Sequence, residues 1–287
     1  MVIIRASVLG YCFGVKRAVE EASKALEVSK GDCDVYTLGP LIHNPLVLQK
    51  LEDKGLKVLS EKDIPYIKDD SVVIIRAHGT TPDIVDSLQR RNIKIIDCTC
   101  PKVHLSQKRA YKDSSNGYKI IIAGDKNHGE VIGIEGYSCR DCDVIQTSDQ
   151  ASRIELADKN VLIVQTTFSI REFEAISSVL KSRCQKISCE LVIYNSICSA
   201  TMERQKALDE LEGKTDGIIV IGGKNSANTL RLYEKACRIS PKAILIEDES
   251  EIPEDFFNLR TVGLTAGAST PDTVIDRVEE VLNRGYK

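Results

Sequence analysis

The sequence predicts an α/β fold of three similar subdomains arranged about a pseudo-threefold centre. Two observations carry this. Apolar, β-branched runs of four to eight residues alternate with helical patterns along all 287 residues, as expected of strand–helix units with mainly parallel sheets. Three cysteines, Cys12, Cys100 and Cys198, each end an apolar run and begin a helical one, at spacings of 88 and 98 residues. That period is longer than a solenoid repeat and suits three whole subdomains aiming three thiols at one place.

Strands are expected at 2–8, 34–38, 56–59, 72–77, 93–97, 118–123, 143–147, 160–165, 189–194, 217–221, 243–246 and 261–264. Helical patterns between them include 15–28, 82–91, 101–114, 170–183, 199–213, 226–238 and 271–284. Pro82, Pro101 and Pro271 stand just inside expected first turns, where a missing N–H and a fixed φ suit a helix start. Polar stretches near 61–71 and 112–117 are short enough to be loops, and no long linker or low-complexity segment interrupts the chain.

The composition narrows the function. Apolar residues make up 42% and charged residues 28%, as in an ordinary globular protein. The 39 basic and 42 acidic residues give a net charge of −3 with no basic run, which argues against nucleic acid or a membrane as partner. The start MVIIRASVLGYCFG lacks a small-residue cleavage site and does not read as a signal peptide. No apolar stretch approaches a spanning helix. Ten cysteines in a chain of this length are too sparse for a disulfide scaffold, so a reducing, cytoplasmic setting is expected. The cysteines there serve as metal ligands, redox groups or small buried hydrophobes.

Ligands of parallel α/β sheets bind at the carboxyl ends of strands, where helix N-termini also gather. The residues expected at those ends include His43, His78, His128, Glu130, Thr166, Thr167, Ser226, Asn228 and Ser269. His43 and His78 follow Cys12 by 31 and 66 residues; His128 and Thr166 follow Cys100 by 28 and 66; Ser226 and Ser269 follow Cys198 by 28 and 71. Each third therefore delivers a thiol and two polar groups. A helix N-terminus favours thiolate over thiol. Three such thiolates suit either zinc with three protein ligands or an iron–sulfur cluster with one iron not held by protein.

Three of the four histidines lie in IHN, AHG and NHGE, flanked by Asn or Gly. With Ser226, Asn228 and Ser269 they form a donor set for a phosphate or diphosphate. Gly222, Gly223, Gly263 and Gly267 are expected to let backbone approach that anion. Glu130 is the one carboxylate within two residues of such a histidine, which makes it the candidate proton donor; Thr166 could relay the proton or hold a substrate hydroxyl. Cys139 and Cys142 form a CxxC with no second pair. Cys33, Cys184, Cys189 and Cys237 are expected to be structural, Cys98 to point away from Cys100, and His104 to support packing.

Nine stretches taken in order, GYCFGVKRA, LIHNP, RAHGT, DCTCP, NHGEVIG, VQTTFS, SICSAT, GGKNSANT and TAGAST, resemble the hydroxymethylbutenyl diphosphate reductase family of isoprenoid biosynthesis. The resemblance implies three α/β subdomains in a trefoil around a central [4Fe-4S] cluster. These would be 14–97, 98–194 and 195–287, with 1–13 packing onto the third. Cys12, Cys100 and Cys198 would hold the cluster, leaving one iron open to the substrate hydroxyl. His43, His78, His128, Ser226, Ala227, Asn228 and Ser269 would bind the diphosphate, and Glu130 with Thr166 and His128 would serve proton delivery. Two electrons would arrive through the cluster from reduced ferredoxin or flavodoxin. Ala227 departs from the pattern, which commonly has serine there; a lost neutral hydrogen bond of about 0.5–1.5 kcal/mol predicts weaker substrate binding. A zinc hydrolase of a phosphorylated substrate and a non-catalytic redox sensor that binds a phosphate ligand remain the alternatives that the residues alone leave open.

Overall fold

The computed structural model describes residues 1–29 and 32–285. Within them twelve parallel strands form three four-stranded sheets. All twelve lie where the apolar runs predict, with ends shifted by up to three residues. Three helices that the periodicity did not mark are also present: Pro45–Glu52, Gly129–Tyr137 and Ser148–Arg153. The chain divides into two compact units. One comprises Met1–Lys16, Ile42–Lys50 and the chain from Ser199 on; the other comprises Arg17–Leu41 and Leu51–Cys198.

The first unit contains one sheet, in the order Val2–Arg5, Thr261–Ala266, Gly217–Ile221, Ala243–Ile246. Its central strand is buried on both faces. Ile219 and Ile221 pack with Phe256, Ile275 and Val278 on one side, while Ile218 and Val220 pack with Leu208, Leu211 and Leu232 on the other. A continuous apolar strand is what a parallel sheet covered by helices requires. The first strand runs beside the last, with Val2 opposite Thr261. It ends at Arg5 and not at residue 8, because only the Ala6 N–H still reaches the neighbouring strand, at Leu264 O, 2.8 Å. The chain then turns through Gly10 at φ +78°, where a Cβ would lie 2.9 Å from Asp272 Oδ1. Only glycine is comfortable there. The buried Arg204 guanidinium donates to the Gly10 carbonyl and holds the turn that leads to Cys12.

The second unit contains two sheets. One runs Leu56–Leu59, Val35–Leu38, Val72–Ile75, Lys94–Asp97; the other runs Cys142–Ile145, Lys119–Ala123, Lys159–Val164, Glu190–Tyr194. In the latter Ile120, Ile122, Val161 and Ile163 pack against Ala110, Val131 and Ile134, so the helices Pro101–Ser115 and Gly129–Tyr137 cover one face. Pro82 and Pro101 occupy the first helical position as expected. Pro271 caps its helix from one residue outside it.

The three sheets share one order. An edge strand leads to a cysteine, and its neighbour leads to His78, Thr166 or Ser269. The third strand leads to His43, His128 or Ser226, and a second edge completes the sheet. The thiol thus closes each sheet of the second unit and comes last in sequence, whereas the spacing read it as coming first. In the first unit the closing strand is the N-terminal one. Ile122 is fully buried in the third sheet, and Ile122→Ala should lower stability by about 2–5 kcal/mol, read as a reduced midpoint in chemical denaturation.

Candidate active site

The cysteines are positioned by one hydrogen bond made three times. Cys12 N–H donates to Ala268 O at 3.1 Å, Cys100 N–H to Ala77 O at 3.0 Å and Cys198 N–H to Thr166 O at 2.9 Å. Each acceptor is the expected polar residue of the adjacent strand end or its immediate neighbour. Each cysteine also stands directly before a helix: Phe13–Ser29, Pro101–Ser115 or Ser199–Asp209. Cys100 is the N-cap residue of its helix. All three are half-buried. Arg17 fastens the strand end before Cys100, donating to Asp97 O at 3.1 Å and Thr99 O at 3.4 Å.

In the second unit the structure brings Glu130, Thr166, His128 and His78 together. His128 caps the helix Gly129–Tyr137, its Nδ1 accepting the Glu130 N–H at 3.2 Å. An accepting Nδ1 leaves the ring proton on Nε2. The His78 and His128 rings meet edge to face, with centroids 5.0 Å apart. Glu130 is 1% exposed. Its Oε1 accepts the Thr166 N–H and its Oε2 the Thr166 hydroxyl, both at 2.7 Å. Burial pushes its carboxyl up to about 7, against the opposing pull of the two Thr166 hydrogen bonds. An ordinary first-turn acid would lie exposed and ionised near the dipole. This one is poised to hold or release a proton near neutral pH.

The first unit holds Cys12, His43, Ser226, Ala227, Asn228 and Ser269. Ser226 caps the helix Ala227–Ile239, its Oγ accepting the Thr229 N–H at 3.4 Å, so its own O–H remains a donor. Ala227 is the first helical residue. Asn228 is buried, and its Nδ2 has no hydrogen-bond partner among the described residues. A buried, unpaired amide donor in a first helical turn is what an anion would satisfy. Ser269 donates to His43 O at 3.2 Å, tying the two loops together.

Several expectations change. A Cβ on Gly223 would lie 2.1 Å from His43 O, and one on Gly267 2.1 Å from Thr229 Oγ1. One on Gly222 would meet Thr270 and Thr229, and one on Gly263 Leu211 and Thr215. These glycines make room for neighbouring protein groups. Burial pushes the Cys98 thiol up to about 11 and the Cys184 thiol, beside Cys189, up to about 12. Cys237 is exposed on its helix and is no core residue. Cys139 lies 3.3 Å from Ser115 Oγ, and the Cys142 thiol donates to Arg140 O.

Two neighbours of the site, in the stretches VQTTFS and RAHGT, were not among the expected site residues. Gln165 is buried; its Oε1 accepts the Asp125 N–H and its Nε2 donates to Thr167, both at 2.9 Å, bridging the loops before His128 and after Thr166. The Arg76 guanidinium lies in a slot between Gly39 and Gly129, where a Cβ on either glycine would come within 2.8 Å of it. It borders a cavity of about 250 Å³ lined also by Glu61, Thr80 and Thr81.

The family described as LytB protein matches residues 3–283. A curated 4-hydroxy-3-methylbut-2-enyl diphosphate reductase of Treponema denticola is 45% identical over 99% of this chain and 100% of its own. A solved structure of the E-1-hydroxy-2-methyl-but-2-enyl-4-diphosphate reductase from Plasmodium falciparum superposes with a TM-score of 0.88. It is 28% identical over 99% of this chain and 87% of its own. A second is described as (E)-4-hydroxy-3-methyl-but-2-enyl diphosphate reductase, the terminal enzyme of the non-mevalonate pathway. It gives a TM-score of 0.70 at 35% identity, over 99% of this chain and all of its own.

The buried acid is testable without turnover. Its folded value of about 7 lies above the ordinary 4.5. The stability it contributes is therefore complete below about pH 4.5 and lost as pH rises through about 7. The difference in thermal midpoint between the natural protein and Glu130→Gln should drift against the natural protein across that window and level off above it. A difference independent of pH would show that Glu130 titrates normally.

Proposed function

Because the chain belongs to the LytB protein family, we propose that it reduces (E)-4-hydroxy-3-methylbut-2-enyl diphosphate to isopentenyl and dimethylallyl diphosphate. This is the last step of the methylerythritol phosphate route. The protein is an iron–sulfur oxidoreductase. Overall, two electrons and two protons enter, the allylic C–O bond breaks, one C–H bond forms and water leaves. The observation that carries the reading is the buried Glu130 carboxyl, held by Thr166, whose own carbonyl holds the Cys198 N–H.

Cys12, Cys100 and Cys198 hold a [4Fe-4S] cluster in this reading. Their places before helix N-termini favour the thiolates that such a group needs. When bound, the cluster supplies electrons singly and a Lewis-acidic iron. Everything else falls to the chain. Ser226 O–H, Asn228 Nδ2 and the Ala227 N–H, with His43, His78 and His128 Nε2–H, donate to the diphosphate; Ser269 joins them by turning its one O–H away from His43 O. Half-protonated near neutrality, Glu130 passes its proton to Thr166 Oγ1, which gives up its own toward substrate; a hydroxyl both accepts and donates, so no group has to move far. Reduced ferredoxin or flavodoxin supplies the electrons. The same reading divides the chain at 14–97, 98–194 and 195–287, with 1–13 joining the third, as its strand pairing with Thr261–Ala266 supports.

Three measurements test it. Anaerobically purified protein should contain iron and sulfide and turn the substrate over with a strong reductant. Glu130→Gln should keep that iron and sulfide yet lose about 10²–10⁴-fold in turnover; natural turnover in this variant would remove Glu130 from proton delivery. Ala227→Ser should lower the Michaelis constant by about two- to tenfold, the worth of one neutral hydrogen bond. No improvement would show that the backbone N–H suffices.

A further inference from the structure

The helix Pro101–Ser115 begins at Cys100 and has no acidic residue in its first turn. Lys102, Lys108 and Lys112 are exposed along it, and Leu105 and Tyr111 are 43% and 58% exposed. At 100° per residue, Pro101, Leu105, Lys108 and Lys112 share the middle of one face, with Lys102 and Tyr111 at its flanks. Its one acid, Asp113, is buried. Among the described helices of eight residues or more, this is the one whose exposed charges are all positive.

Two features separate this face from an ordinary solvated one. Lys102 lies in the first turn, where the helix dipole disfavours a cation. The three lysines, like most described lysines, have no ion-pair partner among the described residues, but here no exposed acid shares the helix with them. The chain as a whole carries −3, so acids to pair them are not scarce. An exposed leucine and tyrosine ringed by unpaired lysines have the composition of an interface core and its rim.

We propose that this face docks an acidic one-electron carrier protein, which passes electrons inward past Cys100. The inference rests on the reductase reading, which needs two electrons per turnover and a route for them. Two reduced carriers are each oxidised by one electron, which together supply the two electrons that the substrate's reduction consumes. The basic face steers the acidic partner, and Leu105 and Tyr111 supply the desolvated contact. The face lies on the helix whose N-cap is Cys100, so docking there puts the carrier beside a proposed cluster ligand.

The test compares the natural holoenzyme with a triple variant, Lys102→Glu, Lys108→Glu, Lys112→Glu, and a milder Leu105→Ser, using two reductants. With a reduced acidic ferredoxin, the triple variant should lose at least tenfold in kcat/KM, through KM for the carrier. Binding of oxidised ferredoxin, followed by NMR, should weaken by a similar factor, and both losses should shrink as salt rises. With dithionite-reduced methyl viologen, which needs no docking surface, all three proteins should turn over alike. Equal ferredoxin binding by natural and triple-variant protein would overturn the proposal. So would loss of activity with both reductants, or a sedimentation change showing that the face joins two copies of this chain. Absence of viologen-driven turnover in the natural enzyme would instead strike at the reductase reading, and the binding measurement would still decide the docking face.

Discussion

A single backbone hydrogen bond, repeated three times, sets the position of every proposed cluster ligand. A cysteine leaving the edge strand of a parallel sheet donates its N–H to a carbonyl just past the end of the neighbouring strand. Parallel strands end side by side, so the chain leaving one edge is fixed against the loop leaving the next. That loop carries His78, Thr166 or Ser269. The thiol and its polar companion are thus set by sheet geometry, which is rigid because both faces of the central strands are packed. In the first unit the bond could not form unless the N-terminal strand closed the sheet beside Thr261–Ala266.

This constraint also explains the cost accepted at Glu130. A carboxyl that is 1% exposed loses hydration worth several kcal/mol when charged. Two hydrogen bonds from one threonine offset part of that, and the rest appears as the raised value near 7. Thr166 gives both bonds while its own carbonyl accepts the Cys198 N–H, so one residue is tied to both neighbours. The proposed proton donor and the proposed cluster ligand are therefore held by one residue, and displacing either disturbs the other.

Strands and long helices were legible because buried parallel strands read as unbroken apolar runs and surface helices as 3.6-residue patterns. The helix Gly129–Tyr137 was not: GEVIGIEGY is apolar nearly all round, with three glycines, and gives no face. Pro45–Glu52 and Ser148–Arg153 are too short for a period to emerge. The site residues stood out as polar groups at strand ends, whose position follows from strand boundaries alone. The phase of the repeat did not follow, since spacing cannot tell whether a cysteine opens one sheet or closes the previous one; only strand order decides. The protein partners of the glycines were not legible for a related reason. Permission for close approach is visible in sequence, but whether ligand, His43 carbonyl or Thr229 side chain makes that approach depends on partners far away along the chain. Arg76 and Gln165 act through contacts of the same distant kind.

Ala227 shows how far fold and function separate at one position. The cap of its helix is Ser226, whose hydroxyl already receives the Thr229 N–H. Serine at 227, one residue inside, would repeat no part of that cap, and alanine has the higher helix propensity. The helix therefore gains slightly from alanine, and no neighbouring protein group loses a bond. What is lost is an outward hydroxyl beside the buried, unpaired Asn228 amide, in a first turn whose remaining donors are Ser226 O–H and backbone N–H. An effect of serine at 227 on the proposed anion would therefore be separable from an effect on the fold.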